Sequence, residues 1–310
     1  MESGNQTAIA LIPKQLKTNL RQARSLIEIR CTILNCSILY AIHKLPPLKN
    51  SFGCLSFNQT FVDALHSTIF LLYFCPMVLL DQPLMKKYSF IMGCALLFCY
   101  ESSVLTHFCI SINRFCAVLV PLKYDIWFTI KNTKKIIALL WIVETIIAAI
   151  FYQYLCNVFY LEEIHFIQFT STEFCGMVAW YEDFVKNAAI IAIIVCLDIT
   201  TILRVHHVTK KARANRGEDA NKFSPRDIRF LRQTVFQGSV FLLELITYFF
   251  IPQYFQNQWI IFLGTSFIWV AIHAIDGMIV IVCNPEVRNF LIGGHKVTQQ
   301  TVTQSDMTAA

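Results

Sequence analysis

Ionisable residues interrupt the apolar runs of this 310-residue chain. Asp63, Glu101, Glu244 and Asp276 each stand among Leu, Ile, Val and Phe residues. A carboxyl group in such surroundings is costly unless it faces another polar group or a water-filled cavity. Groups of this kind form ion paths, proton relays and conformational switches, so they are the first candidates for chemistry.

Some of the polar residues in these runs share a depth. At 1.5 Å of helix rise per residue, Asp63 lies about 10 Å from the nearer end of its run, and Asn35 and Asp276 lie about 12 Å from theirs. We expect one intramembrane polar switch that holds water or a cation, formed by Asn35, Asp63, His107, Asp276 and Asn284. The alternative is plain hydrogen bonding between helices, worth roughly 0.6 to 2 kcal/mol per bond.

Glu101 and Glu244 lie farther from the same ends, about 18 to 20 Å from Arg114 and Arg232. With His273 they are candidates for an outward-facing ligand pocket that suits a cationic or hydrogen-bonding ligand. The alternative is that both carboxyl groups are protonated or paired within the bundle.

The elements that must position these side chains are membrane helices. Apolar residues make up 55% of the chain and charged residues 15%, whereas soluble chains carry roughly 25% charged residues. The mean hydropathy is +0.52. Crossing the hydrocarbon takes roughly 20 residues of helix. Seven stretches approach that length: Leu26 to Ile42, Phe57 to Leu80, Phe90 to Ile112, Ile136 to Leu155, Val185 to Leu203, Thr234 to Ile251 and Trp259 to Cys283.

The first stretch is the weakest of the seven, because Glu28 and Arg30 interrupt it. The basic segment before it could instead lie on a membrane surface. We therefore predict an all-α bundle of seven transmembrane helices with a marginal first span. Its parts are an extracellular N-terminus at 1–25, a transmembrane domain at 26–292 and a cytoplasmic tail at 293–310.

Loop charges predict the orientation of the bundle. The loops after the first, third and fifth spans are basic, whereas the loop between the fourth and fifth contains Glu162, Glu173, Glu182 and Asp183. The positive-inside rule therefore places the N-terminus outside and the C-terminus in the cytoplasm. The basic residues before the first span disagree with this orientation, but the later loops outnumber them.

The most specific motif is Asn113-Arg114-Phe115, followed after five residues by Pro121-Leu122-Lys123-Tyr124. It resembles the Asp-Arg-Tyr signature of rhodopsin-like receptors, with the same spacing to a Pro-Leu-Lys-Tyr string. His107, the strings 112–118, 180–184 and 198–201, and the closing Asn284-Pro285-Glu286-Val287-Arg288 resemble one branch, the nematode chemoreceptors called serpentine receptor class X. The resemblance covers roughly residues 31 to 292.

The resemblance implies a G-protein-coupled receptor for environmental chemicals in the plasma membrane of sensory neurons. The implied partners are a small-molecule ligand, a heterotrimeric G protein and the lipid bilayer. The implied G-protein coupling residues are Asn113, Arg114, Phe115, Pro121, Lys123 and Tyr124. Asn113 replaces the usual acid, so we expect less restraint on Arg114 and raised basal activity. An interfacial arginine that only obeys the positive-inside rule is the alternative.

The resemblance also implies a disulfide between the third span and the loop after the fourth. Cys94 and Cys175 are the residues available for it, although Cys94 lies about five residues deeper than such a bond requires; Cys156–Cys175 is the alternative. Asn5, in Asn5-Gln6-Thr7, is a possible glycosylation site if the N-terminus is outside.

Rival functions come from other classes of protein. An ion-coupled transporter or channel would use the buried carboxyl groups as an ion path. An intramembrane enzyme would need a nucleophile with a base, or a metal cluster, and the nearest candidate, His206-His207, has no partner at zincin spacing. A receptor copy with a defective first span is a third possibility. We predict no enzyme activity, cofactor, metal site or nucleic-acid partner.

Overall fold

The computed structural model describes residues 14–162, 166–214 and 225–293. Seven long helices form a bundle in this part of the chain, and an eighth, shorter helix follows the last of them. Their bounds are α1 (Lys14–Lys44), α2 (Ser51–Leu79), α3 (Ser89–Leu119), α4 (Ile130–Leu155), α5 (173–214), α6 (Pro225–Tyr254), α7 (258–283) and α8 (Pro285–Gly293). The connections contain the 3-10 turn Pro46–Leu48 and the short helices Pro83–Lys87 and Pro121–Trp127.

Polar caps begin four of these helices, and at α7 the Asn257 side chain accepts a hydrogen bond of 2.9 Å from the Trp259 N–H. The side chains of Asn50, Thr129 and Thr172 each accept a hydrogen bond from a backbone N–H of the first turn, at 2.9, 3.1 and 3.2 Å. These oxygens satisfy donors that the helix itself leaves unpaired. The starts of α2, α4, α5 and α7 are therefore fixed by single side chains.

Four helices contain a widened turn of the π type: Phe70–Phe74 in α2, Ala148–Leu155 in α4, Ala179–Val185 in α5 and Leu263–Phe267 in α7. The turn in α2 precedes Pro76, which has no N–H to continue the normal hydrogen-bond ladder. All four lie in the same half of the bundle, the half that contains the Cys156–Cys175 disulfide. We call this end the disulfide end, and the opposite end, at Arg114, the arginine end.

Six helices of the described part of the chain, α2 to α7, are each long and apolar enough to cross a membrane. The apolar stretch of α1 is interrupted by Glu28 and Arg30. It nevertheless packs into the bundle, where Ile38, Ala41 and Ile42 lie in one buried apolar cluster with residues of α2, α3, α7 and α8. Glu28 is buried and Arg30 is exposed.

Helix α1 begins at Lys14, so residues 14–25 are helical. The division into an extracellular N-terminus at 1–25, a transmembrane domain at 26–292 and a cytoplasmic tail at 293–310 stays a prediction. Residues 1–13, including the predicted glycosylation site Asn5, and the tail from 294 onward lie outside the described residues.

An antiparallel hairpin covers the disulfide end. Strands β1 (Val158–Leu161) and β2 (Phe166–Phe169) pair with Val158 opposite Phe169. The inward residues Val158, Tyr160 and Ile167 belong to the same buried cluster as Trp269 of α7. A Cβ atom on Gly93 would lie 2.0 Å from the Val158 carbonyl oxygen, so only glycine allows α3 this close to the hairpin.

The hairpin is also tied to the connection between α2 and α3. Lys86 forms ion pairs with Asp81 and, at 2.6 Å, with Glu162 at the end of β1. Partial burial alone would lower the pKa of Lys86, but the two carboxylates outweigh this effect and raise it. The ammonium therefore stays charged and holds the edge of the hairpin.

Candidate functional site

A polar layer crosses the middle of the bundle around Asp63 of α2. The Asp63 Oδ1 atom lies 2.7 Å from His273 Nδ1 of α7 and accepts a hydrogen bond of 3.1 Å from the Ser103 hydroxyl of α3. Asn35 of α1 donates to the His273 carbonyl oxygen at 3.2 Å and to the Ser67 hydroxyl at 3.4 Å. Side chains of α3 and α7 therefore bond to the buried Asp63 carboxyl group of α2, and Asn35 joins α1 to the same layer.

Asp276 extends this layer toward the arginine end. Its buried carboxyl group faces both Asp63 and the side chain of Gln237 in α6. Gln237 in turn accepts a hydrogen bond of 3.3 Å from Gln233, and Gln233 accepts one of 2.7 Å from Asn284 at the end of α7. A chain of polar side chains thus runs from mid-bundle to the arginine end between α6 and α7.

Arg114 is packed at the arginine end. Its guanidinium carbon lies 3.5 Å from the centroid of the Phe52 ring of α2, the geometry of a cation–π contact. The neighbouring Asn113 donates to the Ser51 hydroxyl at 3.0 Å and to the Tyr124 hydroxyl at 3.4 Å. Asn113 therefore joins α3 to α2 and to the short helix Pro121–Trp127, where an acid would be expected in rhodopsin-like receptors.

A second polar cluster lies near the disulfide end around Glu101 of α3. Lys186 of α5 forms an ion pair of 2.9 Å with Glu101 and one of 3.5 Å with Glu182. Asn187 donates to Glu101 at 3.0 Å and to Asp183 at 3.1 Å. Burial makes an unpaired charge costly, so Lys186 and Asn187 account for the position of Glu101.

A small cavity of about 10 Å³, room for roughly one water molecule, adjoins this cluster. Two acids, four aromatic residues of α3, α6 and α7, and two leucines line it: Leu97, Tyr100, Asp183, Glu244, Leu245, Tyr248, Phe249 and Trp269. The Tyr248 hydroxyl donates to the Ile167 carbonyl oxygen of β2 at 3.2 Å. The hairpin is therefore bonded to a wall of the cavity.

Aromatic contacts connect the cavity to the polar layer. Trp269 lines the cavity and lies 5.4 Å from His66, measured between ring centroids. His66 lies 3.8 Å from the ring of His273, which contacts Asp63. Side chains in contact therefore run from the cavity through the layer to Asn284.

The structure groups the predicted residues differently in three places. Asp63 and Asp276 face each other, and Asn35 bonds to Ser67 and His273 beside them, but His107 packs against α6 at Phe241, with ring centroids 6.0 Å apart. His273 contacts Asp63 of the layer, and the lining of the cavity described above does not include it. Glu244 lines the cavity, whereas Glu101 belongs to the neighbouring ion-pair cluster.

The predicted Cys94–Cys175 disulfide is also wrong. Cys175 bonds to Cys156, the alternative, with the two Cα atoms 5.4 Å apart. Cys94 keeps a free thiol, whose sulfur lies 3.5 Å from the Ala148 carbonyl oxygen. The bond closes the loop that carries the hairpin, because Cys156 precedes β1 and Cys175 lies in the first turn of α5.

Sequence reasoning missed several residues of the disulfide end. Glu182 and Asp183 were assigned to an outer loop, but α5 begins at its Thr172 cap and carries both inside the bundle. Lys186 lies in the predicted fifth span, and a charged residue in an apolar stretch indicates an ion pair with a buried acid. His273 stands three residues before Asp276, the helical spacing that places both on one face.

The class of the protein follows from this architecture. The structure is similar to the crystal structure of squid rhodopsin, with a TM-score of 0.74 over 90% of this chain and 85% of that one, at 15% sequence identity. The fold is therefore that of the rhodopsin-like seven-helix receptors.

The family is defined by the sequence. The family model "Serpentine type 7TM GPCR chemoreceptor Srx" matches residues 26–284, and the chain belongs to this family. It is 29% identical to "Serpentine receptor class X 45" of Caenorhabditis elegans over 277 residues, 83% of this chain and 76% of the relative. It is 24% identical to "Serpentine receptor class X-43" of the same organism over 271 residues, 84% and 82% of the two chains.

These comparisons confirm the predicted family and fold. The protein is a multi-pass membrane receptor of the G-protein-coupled class, and its family is one of receptors, not of enzymes.

Proposed function

We propose that the protein is a chemosensory receptor that binds a small external molecule at the disulfide end and activates a cytosolic heterotrimeric G protein at the arginine end. It would act in the plasma membrane of sensory neurons, with the N-terminus outside and the C-terminus in the cytoplasm. The observation that carries this proposal is the line of contacting side chains from the cavity wall at Trp269 to Asn284.

The ligand would act through differential affinity. A ligand that enters between α3, α5, α6 and α7 touches all four, so it stabilises whichever arrangement of these helices makes room for it. Trp269 and the His66–His273 pair would pass that preference to Asp63, where side chains of α2, α3 and α7 meet. The chain through Gln237 and Gln233 would then shift α6 against α7.

The G protein would bind at the arginine end. Arg114 and the basic residues Lys123, Lys131, Lys134 and Lys135 offer positive charge to a G protein, with Phe115, Pro121 and Tyr124 beside them. In the structure the Phe52 ring covers the Arg114 guanidinium, so Arg114 must leave this ring to reach a partner. Phe52 thus supplies part of the restraint that an acid at position 113 would give.

The test is nucleotide exchange on purified heterotrimeric G proteins by the full-length receptor in lipid nanodiscs. We expect exchange above that of empty nanodiscs with at least one class of G protein. Arg114→Ala should lower this exchange at least tenfold, whereas Arg30→Ala, which removes an exposed guanidinium from α1, should leave it unchanged. Equal exchange by wild type and Arg114→Ala would refute the assignment of Arg114.

Asn113→Asp gives a second reading in the same assay. The aspartate would place a carboxylate beside Arg114 and strengthen its restraint, so basal exchange should fall severalfold. Equal basal exchange by wild type and Asn113→Asp would count against the explanation for raised basal activity.

A further inference from the structure

Two polar contacts join α6 to the junction of α7 and α8 at the arginine end. The Arg229 Nη2 atom lies 3.4 Å from the Oε1 atom of Glu286 in the first turn of α8. One turn farther along α6, the Gln233 side chain accepts the hydrogen bond of 2.7 Å from Asn284. Arg229 and Gln233 are four residues apart, so they lie on one face of α6. We call these four residues the α6 clasp.

The two contacts of the α6 clasp have different surroundings. Asn284 and Gln233 are 3% and 1% exposed, whereas the side chains of Arg229 and Glu286 are 34% and 25% exposed. A buried amide that loses its partner finds no water to replace it, so this contact is costly to break. A part-exposed ion pair is weak and can open at low cost. The clasp therefore combines a contact that fixes the geometry with one that can be released.

The α8 side of the clasp is anchored to the bundle. Val287, next to Glu286, is fully buried in the apolar cluster that joins α8 to α1, α2, α3 and α7. None of the described residues in that cluster belongs to α6. The Phe290 ring of α8 also packs against Tyr40 of α1, with ring centroids 5.9 Å apart. Because α8 is held by α1, α6 is the side of the clasp that can separate.

We propose that the α6 clasp is a latch of the resting receptor, in which the Arg229–Glu286 ion pair holds the start of α6 against α8 and must open during activation. The inference rests on the proposed function, in which the chain through Gln237 and Gln233 shifts α6 against α7. Such a shift changes the distance between Arg229 and Glu286, because α8 stays with α1. Loss of the ion pair therefore favours the shifted arrangement even without ligand.

The first measurement is hydrogen–deuterium exchange of residues 225–237 in the full-length receptor in nanodiscs, without any G protein. Glu286→Gln keeps the size of the side chain and removes its charge, and Arg229→Gln breaks the pair from the other side. Both variants should raise exchange in this segment severalfold, because the first turns of α6 lose an attachment. Asp125→Asn removes an exposed carboxylate at the same end, so it is the matched control and should exchange as wild type does.

Nucleotide exchange on the G protein gives the functional reading. Both single variants should raise basal nucleotide exchange about two- to fivefold, the scale of a part-exposed ion pair. They change the net charge in opposite directions, so a common increase cannot come from net charge. Glu286→Arg places two positive charges together and should raise basal exchange most. Adding Arg229→Glu to Glu286→Arg restores a pair of reversed polarity and should return exchange toward the wild-type value.

Unchanged hydrogen–deuterium exchange of residues 225–237 in both single variants would overturn the proposal. The same holds if the charge-swapped variant is no closer to wild type than Glu286→Arg alone, or if Asp125→Asn matches Glu286→Gln. The hydrogen–deuterium measurement contains no G protein, so it judges the latch by itself. Absence of nucleotide exchange in wild type and every variant, with raised hydrogen–deuterium exchange in the two single variants, would refute the coupling to a G protein and not the latch.

Discussion

The two polar regions of the bundle are built from different chemistry. Around Glu101 near the disulfide end, acids outnumber the single Lys186, and the helices α4, α5 and α7 contain widened turns. Around Asn284 toward the arginine end, the chain consists of the amides of Gln237 and Gln233 in α6 and of Asn284 at the end of α7, and the four widened turns described above all lie in the other half of the bundle.

The difference shows how one bundle can separate recognition from transmission. Charges in a poorly solvated site interact strongly and select a ligand by its charge. Amide side chains both donate and accept, so they can exchange partners at low cost when helices move. Widened turns often mark functional sites, and here they shape the half that contains the cavity.

The largest effect should come from removing the one cation of the disulfide-end cluster. Lys186→Met leaves Glu101 buried without its ion pair, and breaking a buried pair in this way costs about 3–5 kcal/mol. The measurement is the midpoint of thermal unfolding in nanodiscs. The double variant Lys186→Met with Glu101→Gln removes both charges and should recover most of the loss; equal loss in the single and double variants would show that the pair is not the cause.

The disulfide should have the next largest effect. Cys156→Ser or Cys175→Ser opens the loop that carries the hairpin and should cost about 2–4 kcal/mol. Cys94→Ser is the matched control and should have no effect, because Cys94 forms no disulfide. Peptide mapping without reductant that joined Cys94 to Cys175 would overturn this pairing.

A smaller effect is expected in the polar layer. A Cβ atom on Gly277 would lie 2.4 Å from Asn35 Oδ1, so Gly277→Ala must displace this side chain at a cost of about 1–3 kcal/mol. Gly238→Ala is a milder comparison, because its Cβ would lie 3.3 Å from His107 Nε2. Thermal unfolding that ranked the two variants in the opposite order would contradict the close contact of α1 and α7.

Sequence and structure agree where helical geometry alone decides. The depth of Asp63, Asn35 and Asp276 follows from 1.5 Å of rise per residue, so their place in one layer was predictable. The spacing around Arg114 predicted the class of rhodopsin-like receptors, and strings such as 112–118 and 284–288 predicted the family, because both signals are linear motifs.

Other features depend on how a helix is rotated about its axis and on the path of the loop between α4 and α5. The depth of a residue along its helix determines neither. His273 has the depth expected of a pocket residue but turns toward Asp63 of α2. The pairing of Cys156 with Cys175 depends on the hairpin between them, and two short strands of four residues gave no signal in so apolar a chain. The widened turns likewise could not be predicted from the sequence, except for the one in α2, which precedes Pro76.

The most direct test of the account asks whether the two ends of the bundle are coupled. Hydrogen–deuterium exchange of the receptor in nanodiscs, with and without a nucleotide-free G protein bound, reports both ends at once. Binding at Arg114 should change exchange in the hairpin segments 158–162 and 166–169 as well as at the arginine end, because coupling between sites is reciprocal. Changes confined to the arginine end would contradict the account.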